Sequence, residues 1–244
     1  MSQQPFQFKK FKVHQDRCAM KIGTDGVLLG AWSSIEHEPK SILDIGAGTG
    51  VIALQLAQRS SATTIDAIEI DDQAHEQCTH NFEHSDWADR LFCYHASVQE
   101  FASEMEHKYD LIVSNPPFFK APKSIDAQTQ NTSQERAVAR FTDTLPFTHL
   151  VVCAAHLLSQ NGVFCTILPQ TEVASFIEIA AQNKLFISKI CTIRGTKKSK
   201  IKRCMLAFST RQSKPKTQEL TIEISRHNYT QEYKNLVSDF YVKM

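Results

Sequence analysis

The chain has 244 residues, 42% of them hydrophobic, and its 27 Lys and Arg nearly balance 26 Asp and Glu for a formal charge of +1. That length buries one good α/β core, and the patterning excludes a repeat or low-complexity protein. No segment resembles a signal peptide or a run of about 18 uninterrupted apolar residues. The 7 cysteines, an odd number without a C-x-x-C pair, exclude a complete disulfide framework. A cytoplasmic location with reduced, mostly buried cysteines is expected.

In chain order, the first patterned segment is Phe6-Gln7-Phe8-Lys9-Lys10-Phe11-Lys12. Interleaved aromatic and basic residues suit single-stranded RNA. The same segment also reads as a strand with Phe6, Phe8 and Phe11 turned inward. Strands are then expected at about residues 41–45, 63–70, 91–95, 109–114 and 162–168. Helix-like segments separate them, which is the pattern of parallel βαβ units.

The first of these strands runs into Asp44-Ile45-Gly46-Ala47-Gly48-Thr49-Gly50, and a helical pattern follows at once from Val51 to Ala57. Gly46, Gly48 and Gly50 therefore occupy a strand-to-helix turn, where missing side chains let a ligand touch the backbone. The spacing is G-x-G-x-G, and Val51 departs from the small residue of the dinucleotide fingerprint G-x-G-x-x-G. Glu69 lies 19 positions after Gly50, at the end of the next strand and followed by Ile70. A carboxylate there can accept both hydroxyls of a ribose, so a nucleoside cofactor is implied.

His75 and His80 are five apart, which does not put two ligands on one helix face, whereas His80 and His84 have the right spacing. Without a third ligand nearby they read as a solvated face, and no metal is expected. The strand Tyr109 to Ser114 ends in Asn115-Pro116-Pro117-Phe118. An amide oxygen, a backbone carbonyl fixed by two prolines and an aromatic face then stand within four residues. The lone pair of an exocyclic base amine, or of a carboxamide, is delocalised into the neighbouring π system. Two acceptors, the Asn115 side chain and the Pro116 carbonyl, can take its N–H bonds and free that lone pair for attack on an electrophilic methyl group. Phe118 would stack on the base. A plain turn competes with this reading, because Asn-Pro commonly opens one.

The polar loop Lys120 to Ser133 is a candidate lid. Arg136 and Arg140, four apart on the following helical segment, suit either phosphate contact or surface ion pairs. Phe147 to Leu158 reads as a core helix. Leu185 to Arg194 and Ile201 to Ser209 read as a closing hairpin around Gly195 to Lys200. Residues 184–216 hold 11 Lys or Arg and no acid, and residues 1–17 hold 4 against Asp16 alone. The basic run Lys197, Lys198, Lys200, Lys202 and Arg203 suggests a polyanion-binding face on an otherwise acidic body, in competition with a solvated sheet edge.

With Asp44 to Gly50, Glu69 and Asn115 to Phe118 in place, the chain resembles the class I S-adenosylmethionine-dependent methyltransferases. The block Arg17 to Trp32 narrows the resemblance to the bacterial tRNA adenine-N6-methyltransferases that modify adenosine 37 beside the anticodon. The resemblance covers Phe6 to Met244. It implies an α/β fold with a Rossmann-like seven-stranded sheet, mostly parallel with an antiparallel last strand, and helices on both faces. It also implies S-adenosyl-L-methionine as cofactor and tRNA as partner, without a membrane and as a monomer. Residues 1–244 would form one methyltransferase domain, with 1–40 capping the cofactor and open to RNA and 41–244 as catalytic core.

Lys21, Thr24 and Asp25 are implied as contacts that close over the methionine part of the cofactor, with Asp44, Gly46, Gly48, Gly50, Glu69, Ile70 and Asn115 as further cofactor contacts. Asn115, Pro116, Pro117 and Phe118 are the implied catalytic set. Two positions depart from the pattern. Where many relatives carry an acid for the cofactor's adenine amine, this chain reads His95-Ala96-Ser97-Val98, so the contact falls to the Ser97 hydroxyl. Phe118 stands where many adenine-modifying relatives have Tyr. Guanine N2 methylation of ribosomal RNA therefore stays open; glutamine methylation of protein, whose carboxamide could use the same acceptors, is a further alternative that the basic hairpin argues against, and the glycine motif, Glu69 and Asn115 together argue against a nonenzymatic RNA-binding module.

Overall fold

The structure, a computed structural model, describes residues 4–117 and 145–243. Phe118, the loop Lys120 to Ser133, Arg136 and Arg140 lie outside the described residues. A short N-terminal hairpin pairs β1 (Phe6–Gln7) with β2 (Lys12–Val13). The central sheet contains β3 (Ser41–Ile45), β4 (Thr64–Glu69), β5 (Leu91–His95), β6 (Tyr109–Ser114) and β7 (Leu158–Pro169). It continues through β8 (Phe186–Thr196), β9 (Arg203–Ser209), β10 (Lys216–Ser225) and β11 (Asn228–Tyr229).

Across the sheet the order is β11-β10-β8-β9-β7-β6-β3-β4-β5. The pairs β6–β7, β3–β6, β3–β4 and β4–β5 are parallel, and β9 enters antiparallel between β7 and β8. The expected seven strands are all present, with β9 as the antiparallel one. Two more extend them: β10 runs parallel to β8, and β11 folds back on β10. The sequence pattern missed β10 because only Leu220 is buried along it, so a polar edge strand looks like a loop. β7 also starts four residues before its apolar run, where Leu158 pairs with Tyr109.

All five residues of β3 are buried, the mark of a strand covered on both faces. Alternating side chains divide between two apolar clusters: Ile42 and Leu111 join one, Leu43 and Ile112 the other. The first cluster takes α1 (Thr24–Trp32) and α2 (Val51–Arg59) through Leu28, Val51 and Leu54. The second takes α4 (Val98–Glu104), α5 (Phe147–Leu157) and α6 (Val173–Gln182) through Phe101, Leu150 and Phe176. α3 (Asp72–Glu83) follows β4, and α7 (Gln231–Val237) follows β11.

The N-terminal aromatic segment follows its inward-facing reading. Phe8 and Phe11 are buried and stack with ring centroids 4.6 Å apart, and Phe8 also stacks on Tyr241 at 5.8 Å. Lys9 is tied down as well, its backbone N–H donating to Phe240 O at 2.8 Å and its Nζ to Ser238 O at 2.6 Å. The segment fastens one end of the chain to the other.

Candidate active site

The parallel strands β6, β3, β4 and β5 end side by side, about 4.8 Å apart, and the residues at their carboxyl ends face one cavity of about 750 Å³. Asn115 to Pro117 follow β6, Gly46 and Gly48 follow β3, Glu69 and Ile70 close β4, and Ala96 and Ser97 follow β5. Cys18, Ala19 and Met20 form a further wall. Most of the motif residues separated along the sequence thus meet at one edge, where ligands bind in open α/β sheets.

Three glycines share one turn but differ in surroundings. Gly46 and Gly48 have φ of +73° and +55°, and a Cβ on either would meet nothing within 4 Å, so bare backbone faces the cavity. Gly50 also has positive φ, yet a Cβ there would stand 2.5 Å from Phe82 and 2.9 Å from Cys78. Its missing side chain lets α2 and α3 approach, and Gly50 does not line the cavity.

Glu69 is held by backbone alone. Gly48 N–H donates to Oε2 at 2.8 Å, while Ile70 N–H and Asp71 N–H donate to Oε1 at 2.8 and 3.0 Å. The carboxylate is fixed in place and keeps further lone pairs toward the cavity. Behind the turn, Asp44 is fully buried. Its Oδ2 accepts from Ala53 N at 3.2 Å and its Oδ1 has no partner among the described residues. Burial raises its carboxyl from 3.8 to about 7; the Ala53 bond opposes the rise, and the nearby Glu69 charge adds to it. Burial likewise pushes the Cys18 thiol up to about 12, with Glu69, Asp71 and Asp16 adding to the rise. This end of the site is electronegative.

At the end of β6, Ser114 donates its hydroxyl to Ile45 O at 2.9 Å, which pins the strand end against β3. Asn115 Oδ1 is buried and has no hydrogen-bond partner among the described residues. Pro116 and Pro117 follow it on the cavity wall. A buried amide oxygen without a donor is costly unless a ligand supplies one.

The N-terminal wall is held from α3. Asn81 brackets His14, its Oδ1 accepting from His14 N at 2.9 Å and its Nδ2 donating to His14 O at 2.9 Å, and Gln77 Oε1 accepts from Arg17 N at 3.1 Å. This leads Cys18 to Met20 over the cavity, while Lys21, Thr24 and Asp25 are not among its lining residues. Asp25 instead accepts from Arg203 Nε at 2.8 Å. Ser97 lines the cavity, but it also caps α4 in a reciprocal pair with Glu100: Ser97 Oγ accepts from Glu100 N at 3.2 Å and donates to Glu100 Oε2 at 2.7 Å. Cys18 to Met20 lie in the block Arg17 to Trp32 that carries the family resemblance, although the sequence singles out no contact among them, whereas Gln99 and His149 carry no sequence signal. Asp71 had one, as an N-cap Asp whose Oδ1 accepts from Ala74 N at 2.8 Å at the start of α3.

The basic hairpin reaches the same edge of the sheet. Arg203 is opposite Pro169, the last residue of β7, so the turn from Lys197 to Lys202 stands beyond the carboxyl ends of the parallel strands. Lys197, Lys198, Lys200 and Lys202 are exposed. His80 and His84 stack at 4.2 Å, and among the described residues no group of three His, Cys, Asp or Glu is arranged to hold a metal ion. No helix among them is long and apolar enough to cross a membrane.

Residues 23–145 match the methyltransferase small domain family. Over its full length the chain is 56% identical to a protein of Christiangramia forsetii named tRNA1(Val) (adenine(37)-N6)-methyltransferase, with all of both chains covered. A protein of Flavobacterium johnsoniae with the same name is 54% identical, covering 98% of this chain and 100% of its own. Among solved structures, a predicted O-methyltransferase from Agrobacterium tumefaciens matches with TM-score 0.67 at 17% identity, covering 88% of this chain and 96% of its own, and shares the fold. The family match spans the glycine turn, Glu69 and Asn115, and the relatives match end to end: the chain belongs to the methyltransferase small domain family.

Proposed function

We propose that the chain methylates the exocyclic amine of an adenine in tRNA, at adenosine 37 of tRNA1(Val), with S-adenosyl-L-methionine as methyl donor. The observation that carries this reading is the buried Asn115 Oδ1 without a partner among the described residues, set between the glycine turn and two prolines. The name borne by relatives at 54–56% identity supports the substrate. The exposed lysines of the β8–β9 hairpin supply a phosphate-binding surface on the same edge.

The residues present fit the cofactor. Gly46 and Gly48 form a cradle that a Cβ would fill, Glu69 presents fixed acceptors for a ribose, and Glu69, Asp71 and buried Asp44 suit a cationic sulfonium and ammonium. When bound, S-adenosylmethionine supplies an electrophilic methyl group. The chain's own part is orientation. Asn115 Oδ1 and the Pro116 carbonyl accept hydrogen bonds from the two amine N–H groups, turn the nitrogen lone pair out of the ring plane and hold it toward the cofactor cavity; the nitrogen, cationic and acidic once methylated, then loses one proton to solvent. No strong general base is required for this arrangement. Phe118 serves as the stacking platform for the base, as aromatic side chains do for extruded nucleotides.

Residues 1–244 act as one domain in this reading, working as a cytoplasmic monomer without a metal. The first 40 residues close the cofactor cavity through Cys18 to Met20. The test is single-turnover methyl transfer to a tRNA anticodon stem at saturating cofactor. Asn115→Ala is expected to lower the rate about 100-fold or more, as loss of one oriented transition-state hydrogen bond does, with little change in RNA affinity. A wild-type rate in that variant would return the motif to a structural turn. Mass spectrometry of the methylated nucleoside separates adenine from guanine, and labelled protein in place of RNA separates both from glutamine methylation.

A further inference from the structure

We infer that Gln99, oriented by His149, reads the amino group of the cofactor's adenine, the task that the sequence pattern left to Ser97. The inference rests on the cofactor reading above. If Glu69 takes the ribose at the end of β4 and the methyl group must face Asn115 at the end of β6, the base lies on the opposite side of the ribose. The neighbouring strand end on that side is that of β5. The cavity wall there is Ala96, Ser97, Val98 and Gln99, joined from α5 by His149.

Within that wall the polar groups are unequally available. The Ser97 hydroxyl donates a hydrogen bond to the Glu100 carboxylate and accepts one from the Glu100 backbone N–H, and the same carboxylate accepts from Ser97 N–H. Gln99 Nε2 stands 2.8 Å from His149 Nδ1. With the amide nitrogen donating to that ring nitrogen, the amide is oriented and its oxygen is left as an acceptor. A fixed acceptor beside the base position recognises an amine donor. A carboxylate would do the same in relatives that carry one, and here an amide two residues further on, in the first turn of α4, takes its place through a histidine from another helix. Gln99 is thus a binding residue, and His149 a positioning residue that acts through it.

The test uses the full-length protein and calorimetric binding of two probes, S-adenosylhomocysteine and its analogue with hydrogen in place of the 6-amino group. The wild type is expected to prefer the amine-bearing probe by about 10-fold, the worth of one well-oriented hydrogen bond at its upper end. Gln99→Leu should bring the ratio close to one, while Gln99→Glu, which keeps an acceptor, should retain it. His149→Leu, which lets the amide rotate, should leave a smaller preference than the wild type. An unchanged ratio in Gln99→Leu, or no preference in the wild type, overturns the inference. Failure of the wild type to bind S-adenosylhomocysteine at all would instead refute the cofactor reading beneath it. Because the readout is a ratio within each variant, a partly destabilised protein still gives an answer.

Discussion

One edge of the sheet carries two surfaces of opposite character. Over β3, β4 and β5 it is a walled cavity in which burial, with a smaller addition from the Glu69 charge, raises both the Asp44 carboxyl and the Cys18 thiol. Over β9 and β8 it is open, and Lys197, Lys198, Lys200 and Lys202 project into solvent. The end of β6, with Asn115, lies between them in the strand order, separated from β9 only by β7. The contrast reflects the ligand that each half would bind. A small cation gains most from fixed acids in an enclosed site of low dielectric, whereas a long polyanion needs many exposed, hydrated charges that release counterions. A transfer between the two belongs at their boundary.

Removing one half should leave the other intact. The largest effect is expected from Glu69→Ala, which, with Glu69 as the proposed ribose clamp, removes two hydrogen bonds to a charged group at a cost of about 2–4 kcal/mol in cofactor affinity. Calorimetry with S-adenosylhomocysteine measures it, and RNA affinity should not move. A folded Glu69→Ala protein with unchanged cofactor affinity would remove the acidic half from the account.

The next effect belongs to the basic half. Changing Lys197, Lys198, Lys200 and Lys202 to Gln together should make log affinity for single-stranded RNA fall less steeply with log salt, by about 0.7 for each phosphate that is no longer neutralised. Cofactor binding should stay as it was. An unaltered salt slope would make the hairpin a solvated sheet edge.

A smaller effect sharpens the acidic half. Because the Asp44 carboxyl rises from 3.8 to about 7 on folding, the native state holds a proton that the unfolded chain has lost, and this contribution to stability falls as pH rises from about 4 to about 7. A bound cation favours the ionised carboxylate, so cofactor affinity should rise by a few-fold between about pH 6 and pH 8. Asp44→Asn should flatten that rise, and binding measured in buffers of different ionisation enthalpy would detect the released proton. A pH-independent wild type would place the cation away from Asp44.

The smallest expected effect is none. Lys9, Lys10 and Lys12 are as exposed as the hairpin lysines, but Lys9 and Lys10 stand beside Gln58 and Arg59 at the C-terminal end of α2, away from the ligand edge where α2 begins, so replacement of the three by Gln should leave the RNA salt slope unchanged. A shallower slope would extend the basic half around the molecule.

Much of this was legible in the sequence, for physical reasons. Buried parallel strands must be continuous apolar runs, so β3, β4 and β6 announced themselves, and a strand-to-helix turn that exposes backbone needs glycine, so Gly46 and Gly48 did too. Asn115 and Glu69 stand at strand ends, which fixes their place on the ligand edge once the strands are read as parallel. The features that stayed hidden depend on approaches between distant residues. Gly50 looks like its two neighbours in the motif, yet only the position of Phe82 and Cys78 shows that it serves helix packing. Asp25 pairs with Arg203, 178 positions away, and Gln99 meets His149, 50 positions away. Phe6 to Lys12 and Lys197 to Arg203 are both basic stretches. Both carry exposed lysines, but burial of Phe8 and Phe11 against Tyr241 and Trp87 holds the first to the body beside the end of α2, while the hairpin turn sets the lysines of the second at the ligand edge. Local sequence determined which groups this protein has at its strand ends, because backbone conformation and periodicity are local constraints. Only the tertiary structure decided which of its charged and polar side chains are occupied by one another and which remain for a ligand, because that depends on packing across the whole chain.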